Sequence, residues 1–485
     1  MALEAVIGLE CHIQLRTNTK MFCSCPIEFG AAANTLVCPV CLGLPGSLPR
    51  LNEAAADMAL RLALALDCRI RERSVFARKH YFYPDMPKNY QITQYDRPYC
   101  EGGSVPVQIE GVTRRFELTR IHCEEDAGKT FHPERISDRR RSRVDYNRAG
   151  VPLLELVTEP VFRTAAECSA FLTVLRKLVR TLAISGGDME KGQLRCDANV
   201  SLREAGHDGL GTKTEIKNLN TIKGVERGVE AEIERQRRLI AAGDRVVQAT
   251  LLYDADADRL AVMRTKEHAH DYRYFPDPDL PILTLAPERI EAVRRSLPEL
   301  PWQRESRLAE QYGLPAYDAA VLSEPRELAD YYEAVAGASD GKLASNWLMT
   351  EVLRVLKERE WSLEQWVAQV PATRMAAFLA RVASRQLPGP LAKQVFAWML
   401  EEPGDVESLL SAHNVAVQSS AESLEPLVRS VMEENAKVVE DLLAGREAAF
   451  GFLVGQVMRK SGGQAVPQTV QQLLRAALDA RAAGG

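Results

Sequence analysis

The chain has 485 residues, a formal net charge of −5, 46% apolar and 26% charged residues. That is ordinary for a globular protein of two or three domains and fixes no fold class by itself. An acidic whole excludes a generally basic nucleic-acid binder, so any nucleic-acid contact has to come from local basic patches. Nowhere do about 18 apolar residues run without a charge, so no transmembrane helix is expected. Residues Met1 to Leu15 hold no charged-then-apolar leader, and only four of the ten cysteines have metal-like spacing, which points to a reduced cytoplasmic compartment over a secreted disulfide scaffold.

In chain order, Leu9 to Leu15 alternates strictly, with Glu10, His12 and Gln14 on one face of a strand and Leu9, Cys11, Ile13 and Leu15 on the other. Cys23-Ser-Cys25 and Cys38-Pro-Val-Cys41 follow, a C-x-C and a C-x-x-C pair able to bring four thiolates around one tetrahedral Zn2+. Such a site has no open position for water and reads as structural. Arg78 to Arg97 interleaves basic and aromatic residues, a composition that holds phosphates while stacking bases; a Tyr/Pro-rich packing loop would look the same.

Cys123 to Thr130 imitates a phosphate-binding loop, but Cys123 stands where the first Gly is needed and Glu124, Glu125 and Asp126 would repel phosphates. Those carboxylates, beside Glu10 and His12, suit Mg2+ bridging to ATP, although a solvated acidic turn is the plain alternative. Arginines at 135, 139, 140, 141, 143 and 148 offer a local phosphate patch or a solvated loop.

A Thr-x-x-Glu capping box at Thr164 and Glu167 predicts a helix to Ile184, and another is predicted over Lys223 to Ala242, ended by Gly243. Between them Gln193 to Arg203 alternates like the first strand, with Arg195, Asp197 and Asn199 in its polar row. Asp254, Asp256 and Asp258 open like a calcium loop, but Arg259 and Thr265 stand where Gly and Glu are required. Glu267, His268 and His270 form a possible metal pair or a polar strand edge. Pro276, Pro278 and Pro281 mark an exit from the first domain near residue 290. Beyond it Glu324 to Ala336, Lys342 to Glu360 and Arg374 to Arg385 read as bundle helices, and Glu401-Glu-Pro-Gly404 places a second boundary near 405.

Taken together, Val6 to Leu15, the cysteine cluster, His80 to Gln91, Ile121 to Lys129, Asp145 to Glu155, Gly187 to Gln193 and, in the tail, Gly451 to Met458 carry a resemblance. The chain resembles the B subunit of the bacterial tRNA-dependent amidotransferases that make glutaminyl-tRNA and asparaginyl-tRNA from misacylated precursors. The resemblance implies an α+β fold: a cradle-like mixed-sheet domain over 1–292, an all-helical domain over 293–405 and a small helical tRNA-binding tail over 406–485. It implies a ligase that uses ATP to phosphorylate the side-chain carboxylate of glutamyl-tRNA(Gln) or aspartyl-tRNA(Asn), after which ammonia displaces the phosphate.

Carried over residue by residue, it makes Glu10, His12, Glu124 and Glu125 metal- and phosphate-site residues, with Asp197 and Glu215 as further Mg2+ ligands. Lys88 and Lys213 would contact ATP phosphates and Lys79 would line the ammonia path, so Glu10, His12, Glu125 and Lys79 are the catalytic candidates. Cys23, Cys25, Cys38 and Cys41 match the zinc-bearing form of the family. No Gly-Ser-Ser-rich amidase signature is present, so ammonia is expected from an amidase-type glutaminase (A) subunit, with a small (C) subunit to complete a heterotrimer. The alternative is a zinc-containing tRNA-binding protein without catalysis, which would have no use for converging carboxylates.

Overall fold

The computed structural model describes residues 2–131, 142–255, 257–265, 272–415, 421–443, 449–461 and 465–483. Backbone contacts divide the chain into Met1–Gln303 and Arg304–Gly485. The strands of the first unit are β1 (Leu3–Gln14), β2 (Arg69–Ile70), β3 (Arg73–Ser74), β4 (Ala77–His80), β5 (Tyr90–Thr93), β6 (Cys100–Glu101), β7 (Ser104–Ile109), β8 (Val112–Glu125), β9 (Lys129–Phe131), β10 (Arg143–Asp145), β11 (Pro152–Thr158), β12 (Leu194–Glu204), β13 (Thr214–Leu219), β14 (Ala249–Asp254), β15 (Arg259–Thr265), β16 (Phe275–Pro276) and β17 (Leu283–Thr284). Its longer helices are α1 (Glu53–Ala65), α2 (Ala165–Thr181) and α3 (Ile222–Ala241).

A ten-stranded mixed sheet runs in the order β15-β14-β13-β12-β1-β11-β8-β6-β2, with β7 paired to β8. The pairings are antiparallel except β13 with β14, which α3 joins as a crossover; a parallel pair needs such a connection because a tight turn cannot reverse the chain. Alternation sets the sheet's two faces. Ile7, Leu9, Cys11 and Ile13 of β1 share one core with Leu154, Leu156, Ala198, Val200 and the apolar sides of α1, α2 and α3. Phe116 stacks on Phe162 at 4.4 Å and Phe171 of α2 meets Phe162 edge-on at 5.2 Å, which fixes α2 against the sheet. The opposite face keeps the polar members of each strand.

The start of α2 departs in detail from the expected capping box. Thr164 does accept from the Glu167 amide, but the Glu167 carboxylate reaches the Arg163 amide, one residue upstream, and pairs with Arg114. β8 runs through Glu125 and Lys129 opens β9, so Lys129-Thr130 lie in a strand where a phosphate loop would start its helix, and the likeness is one of spelling. Asp256, Glu267, His268 and His270 lie outside the described residues, as do Arg135, Arg139, Arg140 and Arg141.

The second unit is helical in all its described secondary structure. Trp366, Tyr332, Phe378, Val395 and Met399 are fully buried in one core. A smaller core forms around Leu424, Val431, Leu453, Val457, Val470 and Leu474. The segment expected as one helix from Lys342 is Gly341–Trp347 and Leu353–Glu358 joined by a π-helical turn, Leu348–Val352. Pro388 caps the helix Gly389–Glu401 and Pro390 sits in its first turn, where no backbone donor is needed. No described helix is long and apolar enough to cross a membrane.

Candidate functional site

Register builds the site on the polar face. His12 of β1 stands opposite Glu155 of β11, and Glu155 opposite His122 of β8; Arg195 of β12 flanks His12 on its other side. Because strands repeat every two residues, Glu124 shares the face with His122. The side chains close a ring. His12 Nε2 lies 3.5 Å from Glu124 Oε1 and 3.4 Å from Glu155 Oε2, while His122 Nε2 lies 3.3 Å from Glu155 Oε2 and 3.7 Å from Glu124 Oε2. Thr93 of β5 donates to Glu124 at 3.2 Å.

Two imidazoles between two carboxylates decide the charges. Burial alone would discharge His122, but Glu155 and Glu124 outweigh it and lift the imidazole to about 9. His12 is raised too, against its burial, by the hydrogen bond to Glu155 and the charge of Glu124. Burial would likewise protonate Glu155, yet His122 and His12 hold it well below the carboxylate range. The two imidazoles and the two carboxylates thus favour each other's charged forms. The donor atoms of His12, Glu124 and Glu155 lie within 4.8 Å of one another, a separation a single cation spans, and the buried His122 Nδ1 has no hydrogen-bond partner among the described residues.

The other expected residues fall into neighbouring groups. Glu125, 2% exposed, is turned away from that ring: its carboxylate takes the Lys88 ammonium and the Ile92 amide, the latter at 2.9 Å. Asp126 accepts from Arg195 at 3.0 Å and faces Arg148 at 3.5 Å. Arg148 also holds the Ala127 and Gly128 carbonyls, so its guanidinium braces this turn. Glu10 accepts from Asn199 at 2.9 Å. Asp197 and Glu215 are brought together by Lys217, whose ammonium reaches them at 2.6 and 2.9 Å. Lys213 is exposed just ahead of β13. Lys79 of β4 lies over the Tyr272 ring at 5.0 Å; burial would lower its pKa, but Glu124 and its neighbours raise it. Tyr95 stacks on Tyr274 at 4.1 Å, and Phe82 and Tyr83 are exposed.

The four cysteines converge as well, with sulfurs within 4.8 Å of one another. Zn–S bonds near 2.3 Å put tetrahedral sulfurs about 3.8 Å apart, so the set fits Zn2+ after a small contraction. Hydrogen bonding from Cys23, with Cys38 and the Lys20 ammonium assisting, draws the Cys41 thiol down to about 4, while burial pushes Cys25 up to about 11. Asn34, in the loop between the two pairs, ties the cluster to the site by bonding Asp145, Val144 and Tyr146.

Residues 5–291 match the family model described as the GatB/GatE catalytic domain, and residues 330–478 match the GatB domain. The chain belongs to this family. It is 46% identical over 475 residues to the aspartyl/glutamyl-tRNA(Asn/Gln) amidotransferase B subunit of Chlorobium chlorochromatii, covering 98% of this chain and 99% of that one. It is 47% identical over 476 residues to the same enzyme's B subunit from Moorella thermoacetica, with 98% and 99% covered. The Carboxydothermus hydrogenoformans counterpart is 46% identical over 473 residues, 97% and 98% covered. In this GatB-family chain Glu155, His122 and Lys217 carried no assignment from sequence as members of the polar site. Glu155 had a signal, since it is the first polar residue after the apolar run Val151 to Leu154, but only the pairing with β1 reveals what it faces.

Proposed function

We propose that this chain activates the side-chain carboxylate of glutamate or aspartate esterified to a misacylated tRNA, using ATP, and then passes it to ammonia for amidation. The observation that carries the reading is the ring of His12, Glu124, Glu155 and His122 on the polar face, next to the Lys88–Glu125 pair. A tRNA binder without catalysis has no reason to bury opposed carboxylates and imidazoles beside lysines.

The chemistry follows from what a carboxylate lacks: it is a poor electrophile with no leaving group. A carboxylate oxygen attacks the γ-phosphorus of ATP, ADP departs, and the resulting acyl phosphate loses phosphate when ammonia attacks its carbonyl carbon. When Mg2+ is bound, by His12, Glu124 and Glu155, it neutralises phosphate charge. Lys88 and Lys213 contact phosphates, and Lys217 holds Asp197 and Glu215 clear of them. Arg195 and Arg148 keep Asp126 paired, so the turn after β8 offers less repulsion to an incoming anion. Lys79 borders the route by which ammonia arrives, and the Tyr95–Tyr274 stack offers a face for a base.

Zn2+ held by Cys23, Cys25, Cys38 and Cys41 is structural in this reading. The region 1–292 does the chemistry, 293–405 links, and the tail 406–485 grips tRNA. The glutaminase (A) and small (C) subunits complete a cytoplasmic heterotrimer. The test is ATP hydrolysis by the chain co-expressed with those partners, with free ammonium and with or without glutamyl-tRNA(Gln) or aspartyl-tRNA(Asn). Stimulation that requires a misacylated tRNA and yields amidated tRNA supports the reading; tight tRNA binding with no stimulation by either substrate refutes it.

A further inference from the structure

The four-cysteine centre has a neighbour that no motif announces. Lys20 is wholly buried, at 0% exposure. Its ammonium has two described acceptors, Cys41 Sγ at 3.7 Å and the Tyr146 carbonyl at 3.3 Å, and neither is a carboxylate. Its place is fixed by the main chain: the Lys20 amide donates to the Cys25 carbonyl at 3.0 Å and the Met21 amide to Gly150 at 2.8 Å. Gly150, at φ +87°, lies against it: a Cβ there would be in van der Waals contact, 3.4 Å from Lys20 Cδ and 3.6 Å from Cys41 Cβ.

A buried ammonium is costly unless an opposite charge offsets its lost hydration. Four thiolates around one divalent cation carry two net negative charges, which are costly to bury in turn. Cys41 is the most buried of the four, at 4% exposure, so its charge has the least help from water. Each group supplies what the other lacks.

We propose that Lys20 is a positioning residue of the metal centre, its ammonium offsetting the thiolate charge at Cys41 and linking it, through the Tyr146 carbonyl, to the segment 146–150 that leads into β11. The same Gly150 lies 3.7 Å, by its Cβ position, from Glu125 Oε2, so the link ends beside the phosphate-site pair. The proposal rests on reading the four cysteines as a zinc centre, and its test separates the two.

The full-length chain is stripped of metal and titrated with Co2+ and then Zn2+ against a chromophoric chelator, as wild type and as Lys20→Met, which keeps the stem and removes the charge. Lys20→Met is expected to bind Zn2+ about ten-fold or more weakly, the scale on which outer-shell partners of metal ligands act. Both proteins are also compared in a chain carrying Cys23→Ser, Cys25→Ser, Cys38→Ser and Cys41→Ser. There the lysine is an uncompensated buried cation, so Lys20→Met is expected to raise the melting temperature. Affinity within about two-fold of wild type, well short of the loss expected on removing such a partner, overturns the proposal. So does a Lys20→Met change that lowers stability, or abolishes folding, in both backgrounds, since the lysine is then a packing residue. Wild type lacking the absorption of a four-thiolate Co2+ site overturns the centre itself.

Discussion

Glu155→Gln isolates the residue that joins both imidazoles. The substitution keeps volume and strand pairing but removes the charge that His12 Nε2 and His122 Nε2 face at 3.4 and 3.3 Å. His122 stands at about 9 against a reference of 6.5, a difference worth about 3 kcal/mol at 1.36 kcal/mol per unit. Glu124 supplies part of that and remains, and the imidazoles can discharge, so the expected loss of stability in urea unfolding is about 1–2 kcal/mol. The loss of function is larger, because one of three donors for a phosphate-neutralising cation is gone. ATP turnover stimulated by misacylated tRNA should fall by about a hundred-fold or more, the range seen when one fixed electrostatic stabiliser is removed, while tRNA affinity holds. Wild-type turnover in a folded Glu155→Gln protein would refute the assignment of this ring to the reaction.

Other consequences are equally open to measurement. Glu125→Gln breaks a buried pair with Lys88 and should abolish activation with tRNA binding nearly intact, with a stability cost of about 3 kcal/mol from the stranded ammonium; equal loss of binding would mean a folding defect. Gly43 has φ +67° and a Cβ there would lie 2.5 Å from Lys88 Cγ, so Gly43→Ala should cost roughly 1–3 kcal/mol in urea and raise KM for ATP by moving Lys88. In the metal-free chain the His122 imidazolium is stabilised by folding, so that contribution is complete below about 6.5, the unfolded value, and is lost as pH rises through about 9. Urea midpoints across that window should fall for wild type and fall less for His122→Asn. Phe171→Ala, removing a ring wholly buried against Phe162, should cost about 3–5 kcal/mol.

Much of the site was legible because its signals are local. The alternation in Leu9 to Leu15 and Gln193 to Arg203 marked two strands and their polar rows, which lie side by side as β1 and β12. The cysteine spacing revealed the thiol cluster for the same reason. What stayed hidden depends on pairing between distant segments. Nothing near Glu155 tells that it faces His12, 143 positions earlier, and nothing near Glu125 tells that its carboxylate meets Lys88. Lys217 carried no signal because only the β12–β13 register shows that it reaches Asp197. Lys20 carried no signal, since a lysine's burial cannot be read from its neighbours in sequence.

Whether the carboxylate is phosphorylated before it is amidated can be decided by following one oxygen atom. Glutamyl-tRNA(Gln) labelled with 18O in its side-chain carboxylate is incubated with the chain and its partners, ATP and ammonium, and the released phosphate is weighed by mass spectrometry. Activation through an acyl phosphate puts one labelled oxygen into phosphate for each amide formed. Amidated tRNA accompanied by unlabelled phosphate would rule that intermediate out.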